Sequence, residues 1–197
     1  MATPAYTRLG VDERRGQLLE LGAELFARHG YEELSMARIA REAGISKALL
    51  YHYFPSKQAY FSATLGQAVA ELAQVTQPDP EKPPVEQLAA SLDAYLGWVE
   101  RHMGAYDKLI RSVGAVPEVR ELVERVRDDT AQRILAGISD DLDPVLRAAV
   151  RGWLWFVDGA VLDWIEHRDI ERPQLHGLLL GTLLGAVTAS GARIRTS

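Results

Sequence analysis

The chain has 197 residues, 47% of them hydrophobic and 25% charged, with a net charge of −5 and no cysteine. These proportions are ordinary for a soluble folded protein and argue against a disordered or fibrous chain. The lack of cysteine excludes a disulfide framework and any thiolate metal site, and the length suits one sizeable core or two small ones.

The N-terminal stretch MATPAYTRLGVDERRG has no apolar signal core. The longest uncharged run, Gly177 to Ala192, is shorter than the ~20 residues of a membrane helix. No targeting or spanning segment is expected, and the expected compartment is the cytoplasm. The acidic total conceals an uneven distribution. Residues 1–60 hold eight Lys/Arg against seven Asp/Glu, a balance of +1, which leaves −6 for the rest of the chain. A near-neutral head precedes an acidic body.

Leu18, Leu19, Leu21, Leu25 and Phe26 make a helical stripe over about Val11 to Arg28, with Gly30 placed to end the helix in the left-handed conformation. Ser35 suits the N-cap of a short helix holding Met36, Ile39, Ala40 and Ala43 and ended by Gly44. Ser46 can cap the next helix, Lys47 to His52. After Pro55, Ser56 caps a longer one that runs to about Val75 with Tyr60, Phe61, Leu65, Val69 and Leu72 on its apolar side. Four prolines in QPDPEKPP, residues 77–84, then impose a loop. Five further helical stretches follow, at about 85–102, 105–113, 118–138, 144–168 and 172–194, with no strand alternation. The fold class read from this pattern is all-α.

Leu34 to Tyr53, LSMARIAREAGISKALLYHY, has the economy of a helix-turn-helix: small Ala40 at the helix crossing, Gly44 at the turn, Ile45 closing it and Leu49 or Leu50 beneath. The second helix offers Ser46, Lys47, Ala48, Tyr51 and His52 as a surface short enough to enter a major groove. Lys47 suits a guanine edge or a phosphate, and Ala48 and Tyr51 suit a thymine methyl. His52, Tyr53 and Lys57 suit phosphate oxygens, which position the protein without specifying sequence.

GISKALLYHYFPSK at residues 44–57, preceded by LSMARIAREA, resembles the N-terminal DNA-binding domain of the TetR family of regulators over about residues 11–60. Met36 departs from the family pattern, which often has a small polar residue there, so Ser35 and Arg38 are the expected backbone contacts in its place. The resemblance implies a three-helix DNA-binding head at 11–57 and a helical effector-binding and dimerisation domain at 58–197, linked by the helix at about 56–75. It also implies a homodimer, paired through its last two long helices and reading a palindromic duplex site.

In the body, Gly177, Gly181, Gly185 and Ala189 recur at intervals of four beside Leu178, Leu184 and Val187, so that helices can approach closely there. The preceding stretch is apolar nearly all round. It holds Leu146, Val150, Trp153, Val157, Val161 and Trp164 on a broad face and Trp155, Phe156 and Leu162 elsewhere. Trp153, Val157, Val161, Trp164, Gly177, Gly181, Leu184 and Gly185 are the expected dimer interface, the alternative being packing of the glycine face within one chain.

Family members typically sense a small molecule in a cavity of this domain. Tyr95, Trp98, His102 and Tyr106 give an aromatic-rich inner face, with Trp153 and Phe156 as further lining and Arg111 and Asp158 as the charged candidates. Each aromatic is otherwise plain core, and Asp158 otherwise serves an intersubunit bond. The composition favours a hydrophobic effector such as a lipid, an acyl derivative or a lipophilic drug.

The expected function is a ligand-responsive, sequence-specific DNA-binding regulator, a repressor released from its operator by a hydrophobic small molecule. The alternative is a helical protein-interaction module without specific DNA binding. An enzyme is not expected, since the chain lacks a phosphate-binding glycine loop and an HExxH pair, and His29, His52, His102, His167 and His176 form no metal-ligand pattern. No cofactor or metal is expected.

Overall fold

A computed structural model describes residues 11–138 and 143–192. The described residues form α1 (Val11–Arg28), a short 3-10 turn (Tyr31–Glu33), α2 (Met36–Glu42), α3 (Lys47–Tyr53), α4 (Lys57–Val75), α5 (Pro84–Arg101), α6 (Met103–Arg111), α7 (Pro117–Ile138), α8 (Pro144–His167) and α9 (Arg172–Ala189), with no strand among them. The chain divides into two compact units at Ala68/Val69, within α4.

Three serines start α2, α3 and α4. The hydroxyl oxygens of Ser35, Ser46 and Ser56 accept from the backbone N–H of Arg38, Leu49 and Ala59 at 3.2, 3.1 and 3.0 Å. Each satisfies a donor that the helix start would otherwise leave open. Gly44 sits at φ +65 in the α2–α3 turn, a conformation that costs a side chain energy, and Ile45 N–H closes the turn onto the Ala40 carbonyl at 3.0 Å. Gly30 differs from the sequence expectation. It is extended (φ −64, ψ 159) rather than left-handed, because the chain passes directly into the 3-10 turn.

Leu18, Leu25 and Phe26 of α1, Ile39 and Ala40 of α2, Leu50 of α3, and Phe54, Tyr60 and Phe61 make the core of this unit. Each large apolar side chain so buried contributes about 1.5–3 kcal/mol. Met36 belongs to this core and is 5% exposed, so it offers no surface to DNA. Tyr60 donates its hydroxyl to the Leu18 carbonyl, and α1 approaches α4 so closely that a Cβ at Gly22 would lie 2.5 Å from Thr64 Oγ1 and 2.8 Å from Tyr60 Oη.

In the second unit α8 pairs with α9 and α7, and α5 packs on α9. Trp153 Nε1 donates to the Leu179 carbonyl at 2.8 Å and Trp164 Nε1 to the Ile170 carbonyl at 3.0 Å, which sets α8 and α9 antiparallel. Asp143 caps α8, accepting from Val145 and Leu146 N–H. Arg168 ends it in the left-handed conformation at φ 55. α9 ends at Ala189, short of the expected stretch to 194, and Gly191 follows at φ +77. Residues 193–194 of that expectation lie outside the described residues. No helix among the described residues is long and apolar enough to cross a membrane.

Candidate functional site

The outer surface of α3 carries Lys47, Ala48, Tyr51 and His52, all exposed, with Leu50 alone turned fully into the core. The Lys47 ammonium lies 5.6 Å from the centre of the Tyr51 ring, and the His52 and Tyr53 rings meet edge to face at 5.6 Å. Seven residues with a capped N-terminus, a buried underside and a polar and aromatic outside are what a groove-reading helix requires.

The remaining residues expected at this surface are tied into the head. Arg38 Nη2 donates to His29 Nε2 at 2.8 Å, which identifies that ring nitrogen as an acceptor. The Ser35 and Ser46 hydroxyl oxygens are engaged as caps. Lys57 turns inward: its ammonium donates to the Tyr31 carbonyl at 3.0 Å, lies 4.1 Å from the Tyr31 ring centre and is 3.8 Å from a Glu32 oxygen. It thus locks the 3-10 turn onto the start of α4.

The second unit holds a half-open cavity of about 740 Å³, walled by Val69, Leu72 and Thr76 of α4 and by α5, α7, α8 and α9. Most of the wall is aliphatic, including Leu88, Leu92, Ile134, Ile138, Leu154, Val157, Leu183 and Val187. One patch is polar. Arg127 on α7 donates through Nε, at 2.9 Å, and through Nη2 to Asp158 Oδ2 on α8. Tyr106 donates to the other oxygen, Oδ1, at 2.8 Å, and the Tyr106 and Tyr95 hydroxyls are 2.6 Å apart. Since the carboxylate only accepts, Tyr106 donates its hydroxyl hydrogen bond to Asp158 and accepts one from Tyr95. Desolvation by burial, reinforced by the Asp158 charge, holds both phenols well above their ordinary pKa. The Arg127 guanidinium also stacks 4.0 Å from the Trp155 ring centre, and its Nη1 is buried with no hydrogen-bond partner.

Of the expected lining residues, Tyr95, Trp153 and Asp158 are in the cavity wall. Tyr106 stands behind it and supports Asp158. Trp98 and His102 stack on one another at 4.5 Å away from the cavity. Arg111 is a surface residue paired with Asp107 at 2.7 Å and Glu166 at 2.9 Å. Phe156 points to the other side of α8 and is 41% exposed. The reason is rotational: residues 153, 154, 157 and 158 face inward on α8, so 155, 156 and 159 cannot. Arg127 was missed, although an arginine within the apolar stripe Val119, Val123, Ala131, Leu135 of α7 is a legible anomaly.

The residues expected at the dimer interface divide in the same way. Trp153, Val157, Val161 and Trp164 are buried within the single chain and have no face left for a partner, while Leu184 is half-buried at the cavity wall. Gly177, Gly181 and Gly185 are exposed, and a Cβ on any of them would meet nothing within 4 Å, so the glycine face is not used for packing within the chain. Beside it are exposed Leu178 and, on α8, exposed Val145, Gly152, Phe156 and Gly159.

A helix-turn-helix unit followed by an all-helical unit that holds a cavity is the architecture of a helix-turn-helix DNA-binding protein. Residues 18–64 match the family model of bacterial regulatory proteins of the tetR family, and residues 84–185 match the tetracyclin repressor-like C-terminal domain. The chain belongs to the TetR family. A tetR-family transcriptional regulator from Streptomyces coelicolor superposes with a TM-score of 0.81 at 30% identity, covering 93% of this chain and 84% of that one. Among curated relatives, the HTH-type transcriptional activator FasR of Mycolicibacterium smegmatis is 36% identical over 105 residues, covering 50% of this chain and 46% of that protein. The HTH-type transcriptional repressor KstR2 of Mycobacterium tuberculosis is 48% identical over 48 residues, 24% of each chain. The chain thus spans less than half the length of either of these two curated relatives.

Proposed function

We propose that this regulator is a homodimeric repressor that leaves a palindromic operator when a hydrophobic small molecule enters the cavity of its second unit. The observation that carries this reading is the cavity itself: about 740 Å³ of largely aliphatic wall in a chain whose other unit is a helix-turn-helix head. That volume lies within the range of drug-sized ligand sites. The proposed organisation is a head at 11–57 and a body at 58–197, with α4 contributing Tyr60 and Phe61 to the head's core and Val69, Leu72 and Thr76 to the cavity wall.

Base-reading contacts are assigned to Lys47, Ala48 and Tyr51, and phosphate contacts to Ser35, Arg38, Ser46, His52, Tyr53 and Lys57. The outer face of α8 and α9, with Phe156, Gly159, Gly177, Leu178, Gly181 and Gly185, is assigned to the symmetry mate. Two heads about one helical turn of DNA apart, ~34 Å, would read the two half-sites.

Release requires only that the ligand favour the DNA-incompetent state, and a tenfold loss of operator affinity needs about 1.4 kcal/mol of differential binding. The test is a gel shift on the duplex upstream of the protein's own coding region, with random duplex as competitor. A sequence-selective, salt-sensitive shift that a hydrophobic extract reverses is expected. A protein-interaction module would give no such shift.

A further inference from the structure

The polar patch of the cavity is electrically closed. Arg127 and Asp158, 13% and 17% exposed, neutralise one another, and no other ionised group in the wall is buried. At the exposed rim, Asp129 and Arg133 stand one turn apart on α7 and offset each other. A ligand carrying a full charge would lose its hydration on entry and meet no unmatched opposite charge.

The same patch is closed in charge but open in hydrogen bonding. Asp158 already accepts from Arg127 on one oxygen and from Tyr106 on the other, and the Tyr95 proton is committed to Tyr106. What remains is the Arg127 Nη1 amino group, a donor without a partner, and the acceptor lone pairs of Tyr95 Oη. A buried donor left unmade is costly, so a bound state that supplies an oxygen to it is favoured. In this structure Nη1 is covered, with Trp155 stacked on the guanidinium; seating that oxygen therefore involves a shift of the Arg127 head.

Resting on the reading of the cavity as an effector site, we propose that its ligand class is an uncharged lipophile bearing a single hydroxyl, ketone or ester oxygen at one end. The apolar body lies along Leu88, Leu92, Ile134 and Leu183, and the oxygen meets the Arg127 and Tyr95 end. Fatty-acid anions and lipophilic ammonium ions are selected against by the internal charge balance.

The test is a series of equal chain length, dodecanol, methyl dodecanoate, dodecanoate and dodecylammonium, bound to the full-length protein at about pH 8, where the acid and the amine are both charged. Calorimetry or the fluorescence of Trp153 and Trp155 gives Kd. The neutral pair is expected to bind at least tenfold more tightly than either ion. Asp158→Asn, nearly isosteric, unmasks the Arg127 charge and is expected to move the preference to dodecanoate, an inversion that a merely structural role for Asp158 would not produce. Equal or tighter binding of dodecanoate by the unmodified protein overturns the ligand class and leaves the effector cavity standing. If no member of the series binds, both fall.

Discussion

Arg127 of α7 and Asp158 of α8 form a two-donor ion pair in the wall of an otherwise aliphatic cavity, with Tyr106 completing the carboxylate from behind. The pair is mostly shielded from water, so the two ends depend on one another.

Removing one end alone should therefore be costly. Arg127→Ala leaves a carboxylate desolvated, and a loss of about 3 kcal/mol is expected in urea unfolding. Replacing both residues by apolar ones of similar volume, Arg127→Met with Asp158→Leu, should recover most of that loss. Additive losses in the double variant would sink the idea that the pair is a closed unit.

Gly22 and Gly16 lie on the same helix and should respond oppositely to alanine. A Cβ at Gly22 collides with Thr64 Oγ1 and Tyr60 Oη, so Gly22→Ala should destabilise the head by about 1–3 kcal/mol. At Gly16 nothing lies within 4 Å, and Gly16→Ala should stabilise by about 0.5–1 kcal/mol through helix propensity. Thermal unfolding of the two variants decides it, and equal shifts of the same sign would contradict the close approach of α1 and α4.

Lys47 and Lys57 should separate binding from folding. Lys47 is exposed on α3 and assigned to base reading, so Lys47→Gln should lower affinity for the operator more than for random duplex, with little change in Tm. Lys57 holds the Tyr31 carbonyl, so Lys57→Gln should lower Tm even without DNA. A Lys57 variant of unchanged Tm would show that the Tyr31 contact contributes nothing to the head.

The exposed apolar face of α8 and α9 should govern self-association. Phe156→Asp places a charge on that face without touching the cavity wall, and light scattering should show a shift from dimer toward monomer with helicity retained. A dimer undiminished by Phe156→Asp and by Gly181→Leu would place the partner elsewhere.

Alkaline stability should reflect the buried phenols. Burial raises the pKa of Tyr60, Tyr95 and Tyr106 in the folded chain, so above the ordinary value of about 10 the unfolded chain gives up these protons first. Their contribution is thus complete below about pH 10 and declines as pH climbs toward the raised values. Tyrosinate absorbance should lag in the folded protein and jump on unfolding. Ionisation of all seven tyrosines at the ordinary pKa before any loss of helicity would refute it.

What the sequence determined by itself is local. Ser35, Ser46, Ser56 and Gly44 mark helix starts and a turn through interactions a few residues long, and an ordered string from Leu34 to Lys57 carries the helix-turn-helix with its exposed Lys47, Ala48 and Tyr51. Only the tertiary structure decided the body. A helix apolar nearly all round, such as α8, does not reveal which apolar side is core: the sequence places Trp164 at a partner and Phe156 at the cavity, whereas packing against α7 and α9 buries Trp164 within the chain and leaves Phe156 exposed on the other side. Nor does periodicity join Arg127 to Asp158, which are 31 residues apart. Charge pairing across two helices follows from their rotation and register, which many side chains set together.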